Sequence, residues 1–569
     1  MSYLSSKNKW LLVFDNLKIK ENHKVQEFVN WEHNGHVIFA SQDSELLPNT
    51  VKMTAFEKND ATTLANNILE KDDPKLAEFL VQEFSGYPIL IVQGTQLLNQ
   101  VPGLNQEEYK KRIRDSADKI KLNITLAIKE LKPNTKRLLN KITLINTQGF
   151  SKELLKIITD DKNTIDDDIY QLSKFALVAN IDSNETNPVF EMHDVIANKI
   201  IEINADNNNK NYLEDIVTKL IDATPKNLVK GRIFRSARTM LENLKIIERN
   251  ATNYNINIYK LLELNTLLMV QYISSLDHYN AEKLFHWFNI NDQQGKFKLW
   301  LMNNDEKYFY ARYLGNSGVY YKNRFADLHK AFEYYSRAKE VFNKVKGYEA
   351  SKCAAVYNLA TFYIALGKIT EAQNEINEME QIFKTANVDL KEIESMLNLI
   401  KTKLYHNNGN EENALEEINK NIIRTFKSGI SPKDLFFTNC YMLKSEILNS
   451  LGKYHEAYEQ LQQLYEMHRS VNKEYQEIFA RIFTQMSRAE LGLGNTNKAL
   501  EYAQKATTIF INDPSRANKN LTTSLDINLA KAFVAEGDAL AALGQNEKAA
   551  ESYAPDFRRF FDISCYKWH

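Results

Sequence analysis

The sequence predicts a mainly α-helical protein, with a short partial α/β piece in front and an α-solenoid behind. Three observations predict it. Two apolar runs, Leu11-Leu12-Val13-Phe14 and Val37-Ile38-Phe39-Ala40, are bounded by turn residues and separated by one short helix candidate, the pattern of parallel strands. From Phe56 onward the apolar spacing changes to the helical period. In the C-terminal half, Ala331, Ala372, Ala414, Ala457, Ala499 and Ala549 recur at steps of 41, 42, 43, 42 and 50 residues.

The elements follow in order. Residues 11–14 read as a buried strand and 35–41 as a second, with the helix candidate at 25–29 between them. Asn59-Asp60-Ala61 starts a helix, and Pro74 starts another that runs to Phe84. Gly86 ends that helix, and Pro88 reads as non-helical punctuation after it. Further helices are expected over 124–131 and 136–145. The stretch 175–179, the polar turn 182–188, the run 190–194 and the apolar helix 195–203 give a helix, strand, turn, strand order, which suggests a small winged-helix-like unit. A mostly polar linker covers 204–211.

Behind it, glycine turns precede the recurring alanines, as in Leu366-Gly367-Lys368-Ile369-Thr370-Glu371-Ala372 and Leu451-Gly452-Lys453-Tyr454-His455-Glu456-Ala457. Ala331 keeps the spacing without the glycine. Tyr335, Ile376, Leu461 and Tyr553 stand four positions after their alanines. The glycine relaxes a turn between two helices and the alanine lets the second pack closely on the first. This is the logic of a tetratricopeptide repeat (TPR) with long helices. The segment Gly367-Lys368-Ile369-Thr370 mimics the end of a phosphate-binding loop, but it sits in a repeat turn and lacks the upstream glycine.

Composition narrows the function classes. With 569 residues, 43% hydrophobic and 25% charged, the chain can bury several cores. A net charge of −1 supplies no field that attracts nucleic acid or an acidic membrane. Cys353, Cys440 and Cys565 form neither a metal spacing nor a disulfide framework, which fits the cytoplasm. The longest apolar helix candidate, 261–276, is interrupted by Glu263, Asn265 and Gln271 and is too polar to span a bilayer. No Ser-His-Asp set, Cys-His pair or paired carboxylate motif stands out as catalytic. The Asn, Lys and Ile content fits an AT-rich bacterial genome.

Four landmarks carry a family resemblance: Trp10-Leu11-Leu12-Val13-Phe14-Asp15-Asn16, Gly35-His36-Val37-Ile38-Phe39-Ala40-Ser41-Gln42-Asp43, Gly86-Tyr87-Pro88-Ile89-Leu90 and Met192-His193-Asp194. In this order they resemble the Walker B strand, the sensor strand, the G-L-P-L motif and the MHD motif of NB-ARC-type STAND signalling ATPases. The resemblance implies a remnant nucleotide-binding α/β domain over 1–50, a helical domain over 51–118, a winged-helix-like domain over 119–205, a helical connector over 206–305 and a TPR array over 306–569. It further implies ADP or ATP with Mg²⁺ as cofactor. Asp15 would hold the metal through water beside Asn16, Ser41 and Gln42 would lie at the nucleotide, Pro88 would pack on adenine and His193 would touch the ADP β-phosphate. Its functional expectation is a signalling regulator whose repeats bind a protein or peptide and whose opened switch forms a homo-oligomer.

The chain also departs from that pattern. No G-x-x-x-x-G-K-[ST] occurs, and Gln42 stands where an arginine usually reads the γ-phosphate. Tyr3-Leu4-Ser5 resembles the segment just before the Walker B strand, so the chain reads as N-terminally truncated within this family. Losing three or four charge-assisted bonds of roughly 1.5–3 kcal/mol each weakens nucleotide binding at least about a thousandfold. The switch is therefore expected to be vestigial and ATP hydrolysis slight or absent. A repeat scaffold with no nucleotide role is the alternative reading. A winged-helix transcription regulator is a third, which the near-neutral charge disfavours.

Overall fold

The computed structural model describes residues 9–14, 35–41, 51, 53–101, 103–182, 187–204, 208–223, 237–274, 278–297, 304–325, 327–385, 391–427, 435–469, 476–512 and 527–553. The chain divides into two compact units, 1–130 with 174–176, and 131–173 with 177–569.

In the first unit β1 (Leu11–Phe14) and β2 (His36–Phe39) pair in parallel, with Leu11 opposite His36 and Phe14 opposite Phe39. The parallel pairing expected from the sequence is present. The expected burial of the first strand is not: Leu11 and Val13 are 58% and 59% exposed. Among the described residues no third strand joins this pair, so its outward side chains have no apolar neighbour to cover them. The helix candidate at 25–29 lies outside the described residues.

Helices α1 (Lys58–Ile68), α2 (Pro74–Glu83), α3 (Pro88–Gln100), α4 (Gln106–Asp115) and α5 (Lys119–Glu130) complete the described part of this unit. Pro74 opens α2 at its first turn and Asp73 caps it, accepting from the Leu76 N–H at 3.0 Å. The core between them holds Ala65, Leu80, Ile91, Tyr109, Ile113 and Ile124, all fully buried.

The second unit begins with α6 (Pro133–Ile142), β3 (Phe150–Ser151), α7 (Lys152–Ile158), α8 (Ile165–Lys174), β4 (Ala179–Asp182), β5 (Val189–Glu191) and α9 (Asp194–Ile203). The three strands form an antiparallel sheet in the order β3-β5-β4. Ser151 ends β3 and caps α7 through its hydroxyl, so strand passes to helix with no loop. Next come α10 (Asn209–Ala223), α11 (Ala237–Asn253), α12 (Ile258–Ser274) and α13 (His278–Gln293). Helix α11 is tied to the loop before β3. Asn243 donates to the Gly149 carbonyl at 2.8 Å and accepts from the Asn146 N–H at 3.0 Å, and Asn250 donates to the Leu144 carbonyl at 2.9 Å.

Lys141 is the other tie. Its side chain is 2% exposed, and its ammonium reaches the Ile158 carbonyl (2.8 Å), Asp160 (2.6 Å) and Asp215 (2.6 Å), joining α6, the end of α7 and α10. Lys219 also bonds to Asp160. Burial pushes the Asp160 carboxyl up, but the bonds from Lys141 and Lys219 outweigh it and hold the pKa at about 2. A depressed folded pKa means that the stabilisation is complete above the unfolded value and fades as pH falls toward 2. The stability gap between wild type and Asp160→Asn is therefore expected to be constant above about pH 5 and to close between pH 4 and pH 2. Urea midpoints at several pH values check it, and a gap that stays constant across that range would refute it.

The repeat array starts at α14 (Asn304–Phe325) and alternates first and second helices: α15 (Leu328–Phe342), α16 (Glu349–Ala365), α17 (Ile369–Thr385), α18 (Lys391–Asn407), α19 (Glu411–Lys427), α20 (Leu435–Ser450), α21 (Tyr454–Arg469), α22 (Gln476–Gly492), α23 (Thr496–Ile511) and α24 (Ile527–Ala542). A last helical segment covers 546–553. The aligned alanines behave as the spacing predicts: Ala331, Ala372, Ala414, Ala457 and Ala499 are fully buried, and Ala549 nearly so. Gly367, Gly409, Gly452, Gly494 and Gly544 all have φ between 68° and 80°, where a Cβ would clash with its own backbone. Each turn closes with the same bond: the N–H after the glycine reaches back five residues at 2.9 Å, as from Lys453 to the Leu448 carbonyl. The same residue then accepts from the alanine N–H four positions on, so it ends one helix and starts the next.

Candidate functional site

The residues expected at a nucleotide are placed as follows. Asp15, Asn16 and Gln42 lie outside the described residues. Ser41 follows β2 on an exposed stretch of the first unit. Pro88 corrects its reading as non-helical punctuation: it is the first residue of α3. Its fixed φ suits a first turn, where the missing N–H costs no helical bond. Gly86 makes the corner before it, at φ +73°, and an added Cβ would lie 2.4 Å from the Phe56 carbonyl oxygen. His193, in the second unit, is exposed and caps α9, its Nδ1 accepting from the Val195 N–H at 3.2 Å. Asp194 accepts from Thr147 (3.1 Å) and Gln148 (2.8 Å). Among the described residues no cluster of three His, Cys, Asp or Glu side chains is placed to hold a metal.

What the second unit does assemble is a polar face along the first helices of the repeats. Counting back eleven residues from the aligned alanines gives Tyr320, Thr361, Lys403, Glu446, Arg488 and Asp538. Two helical turns earlier stand Asn439, Arg481 and Lys531, on the same side of α20, α22 and α24. These side chains bond from one first helix to another, with no second helix between. Lys403 donates to the Tyr357 hydroxyl at 3.0 Å, Arg481 to Asn439 at 2.8 Å and Gln485 to Glu446 at 3.0 Å. Lys531 reaches Glu446 at 3.2 Å, spanning two repeats past α22. The array is thus curved, with the first helices on the inside.

The charges of Lys403 of α18 and Lys531 of α24 both act on Lys322 of α14. Burial, then repulsion from those two ammonium groups, pushes the Lys322 pKa down to about 8. Burial would raise the Glu446 carboxyl, yet Lys531 and Arg488 hold it below the usual carboxylate range. On the same helices, Thr361, Asn398, Asn449 and Gln485 each keep a buried side-chain oxygen or nitrogen with no hydrogen-bond partner among the described residues. Each such group carries a desolvation cost of about 1–3 kcal/mol.

Sequence reading aligned the second helices on their alanines but did not carry that register back to the first helices. The signal was there: Lys403, Glu446 and Arg488 share one register in three successive repeats.

Fold and inner face together define a helical-repeat protein of the tetratricopeptide type. No family model and no curated protein matches the sequence. Among solved structures, the chain is similar to a signal transduction ATPase with numerous domains (STAND) with a tetratricopeptide repeat sensor from Pyrococcus horikoshii. That alignment has 16% identity, covers 95% of this chain and 73% of the other, and has a TM-score of 0.47. A Rap protein complexed with competence and sporulation factor aligns at 16% identity over 63% of this chain and 98% of its own, TM-score 0.41. NprR in complex with its cognate peptide NprX aligns at 16% over 51% and 75%, TM-score 0.34. Among the described residues no helix is long and apolar enough to cross a membrane.

Proposed function

We propose that this chain is a signalling regulator whose repeat array binds a protein or peptide segment inside its curve. The observation that carries the proposal is the inner polar face, where side chains bridge first helices across repeats. An extended chain laid against α16, α18, α20 and α22 would offer N–H and C=O groups to the polar side chains of that face. Hydrogen exchange in the presence of a display-selected decapeptide tests this. Protection is expected in segments 357–361, 398–403, 439–449 and 481–488. Protection confined to the second helices, or failure to select any peptide, would sink the proposal.

A nucleotide role belongs to the same reading. The parallel β1–β2 pair and the Gly86-Tyr87-Pro88 corner in the first unit support an NB-ARC-like reading of that unit, and the helix entry at His193 beside the β3-β5-β4 sheet supports a winged-helix-like domain in the second. With no phosphate loop in its 569 residues, the chain is expected to bind Mg-ADP no tighter than millimolar. Calorimetric titration with Mg-ADP, repeated on His193→Ala, decides the point. Micromolar binding that His193→Ala weakens would show a working site. No heat would favour the scaffold reading.

A further inference from the structure

The inner face has a sign. Lys322, Lys403, Arg481, Arg488 and Lys531 come from four repeats; against them stand Glu446, bonded among them, and Glu477, one turn before Arg481, which accepts from Asn528 of α24 at 3.2 Å. Asp538 accepts instead from the Tyr553 hydroxyl of its own repeat at 2.6 Å. The whole chain is neutral to within one charge, so this excess is local to the interior.

Cations facing each other in a confined space repel, and walls of low dielectric strengthen that repulsion. Lys322 is the extreme case, half-buried and in reach of two other ammonium groups. Glu446 relieves Lys531 and Arg488, and among the described residues of this face no second carboxylate is paired with Lys322 or Lys403. A neutral ligand would leave this repulsion in place, and a cationic one would add to it. A carboxylate-bearing segment would remove it while still offering backbone groups to the polar side chains of the face.

Resting on the reading of the array as a peptide-binding module, we propose that the inner face takes an anionic peptide segment, whose carboxylates lie between Lys322, Lys403 and Lys531 around Glu446. Glu446 then acts as a resident carboxylate that occupies part of the anion's place.

Fluorescence anisotropy with three labelled decapeptides tests it. They share a Gly/Ser/Leu background and carry five Glu, five Gln or five Lys residues, and a labelled oligothymidine decamer serves as a polyanion without peptide groups. The Glu peptide is expected to bind at least about tenfold tighter than the Gln peptide, and salt should weaken it. The Lys403→Glu/Lys531→Glu double variant should lose that preference. Glu446→Gln, with an unchanged circular dichroism spectrum, should tighten the Glu peptide, because it removes a competing carboxylate. Equal or tighter binding of the Gln or Lys peptide would overturn the charge assignment while leaving the peptide-binding reading intact. Tighter binding of the oligothymidine would overturn it in favour of a nucleic-acid ligand. If no decapeptide binds, but a display-selected peptide of other charge protects the inner helices, this inference alone fails. If none of these binds, both fail.

Discussion

Arg337→Ala is expected to destabilise the second unit by about 3–5 kcal/mol, because it strips the partner from a buried carboxylate. Asp292 lies in the last turn of α13 with its side chain 8% exposed, and it accepts from the Tyr310 hydroxyl (2.9 Å) and from Arg337 (3.0 Å). Arg337 also donates to the Tyr310 oxygen at 2.8 Å and lies 5.5 Å from the Tyr334 ring centre. Burial, and then the Asp292 carboxylate, push the Tyr310 phenol up, so Tyr310 stays a neutral donor. The three residues come from α13, α14 and α15, so this network joins the connector to the first repeat. Without the guanidinium, Asp292 keeps one neutral hydrogen bond and must be buried as a charge or take up a proton. The double variant Asp292→Asn/Arg337→Ala should recover a large part of the loss, since no ion is then left unpaired. Urea unfolding followed by far-ultraviolet circular dichroism gives both values. A loss under about 1 kcal/mol for Arg337→Ala would mean that water solvates the carboxylate and the network is not sealed.

Much of this architecture could be read from residue order because the repeat turns have strict local requirements. A left-handed backbone position at Gly367, Gly409, Gly452, Gly494 and Gly544 excludes nearly every other residue, and the close helix approach at each aligned alanine excludes larger ones. Such one-residue demands leave a mark at a fixed period. The parallel pairing of β1 and β2 was legible for a similar reason, since a helical crossover between two apolar runs allows few alternatives. What was not legible depends on curvature. Lys531 and Glu446 lie 85 positions apart, and no local pattern says that the array bends enough to bring them to 3.2 Å. The exposure of Leu11 and Val13 also escaped, because an apolar run reports what a strand prefers and not whether a neighbour is there to cover it. Pro88 was misread because a proline two residues after a glycine marks the end of one helix and the start of the next equally well, and only the backbone shows which. Three glycines of the first helices, Gly318, Gly492 and Gly537, escaped for another reason: each meets an aromatic ring of a different helix.

Gly318 is the sharpest of these. It lies inside α14, where glycine is a poor helix former, yet a Cβ there would sit 2.5 Å from Cδ1 and Cε1 of Tyr335 and 3.1 Å from the Ala331 carbonyl oxygen. Tyr335 is 1% exposed and stands four residues after the first aligned alanine, so its ring has no free volume to turn into. Gly537 and Tyr553 repeat the device in the last repeat, with the nearest ring atom 2.4 Å from the would-be Cβ. The lost helix propensity is thus exchanged for an aromatic ring laid flat against the first helix. Gly318→Ala would gain up to about 1 kcal/mol of propensity in an open helix. Here it is expected instead to lose about 1–3 kcal/mol to overpacking, and Gly318→Val more. Trimming the ring separates the two effects. In a Tyr335→Leu background the same Gly318→Ala change should become neutral or stabilising, because the methyl then enters space the ring has vacated. The Tyr335 hydroxyl has no hydrogen-bond partner among the described residues, so Tyr335→Phe should cost little and leave the clash in place. Urea midpoints of the wild type, Gly318→Ala, Tyr335→Leu and the variant carrying both changes give the coupling directly. A Gly318→Ala penalty that is the same in both backgrounds would show that the ring is not what holds the glycine there.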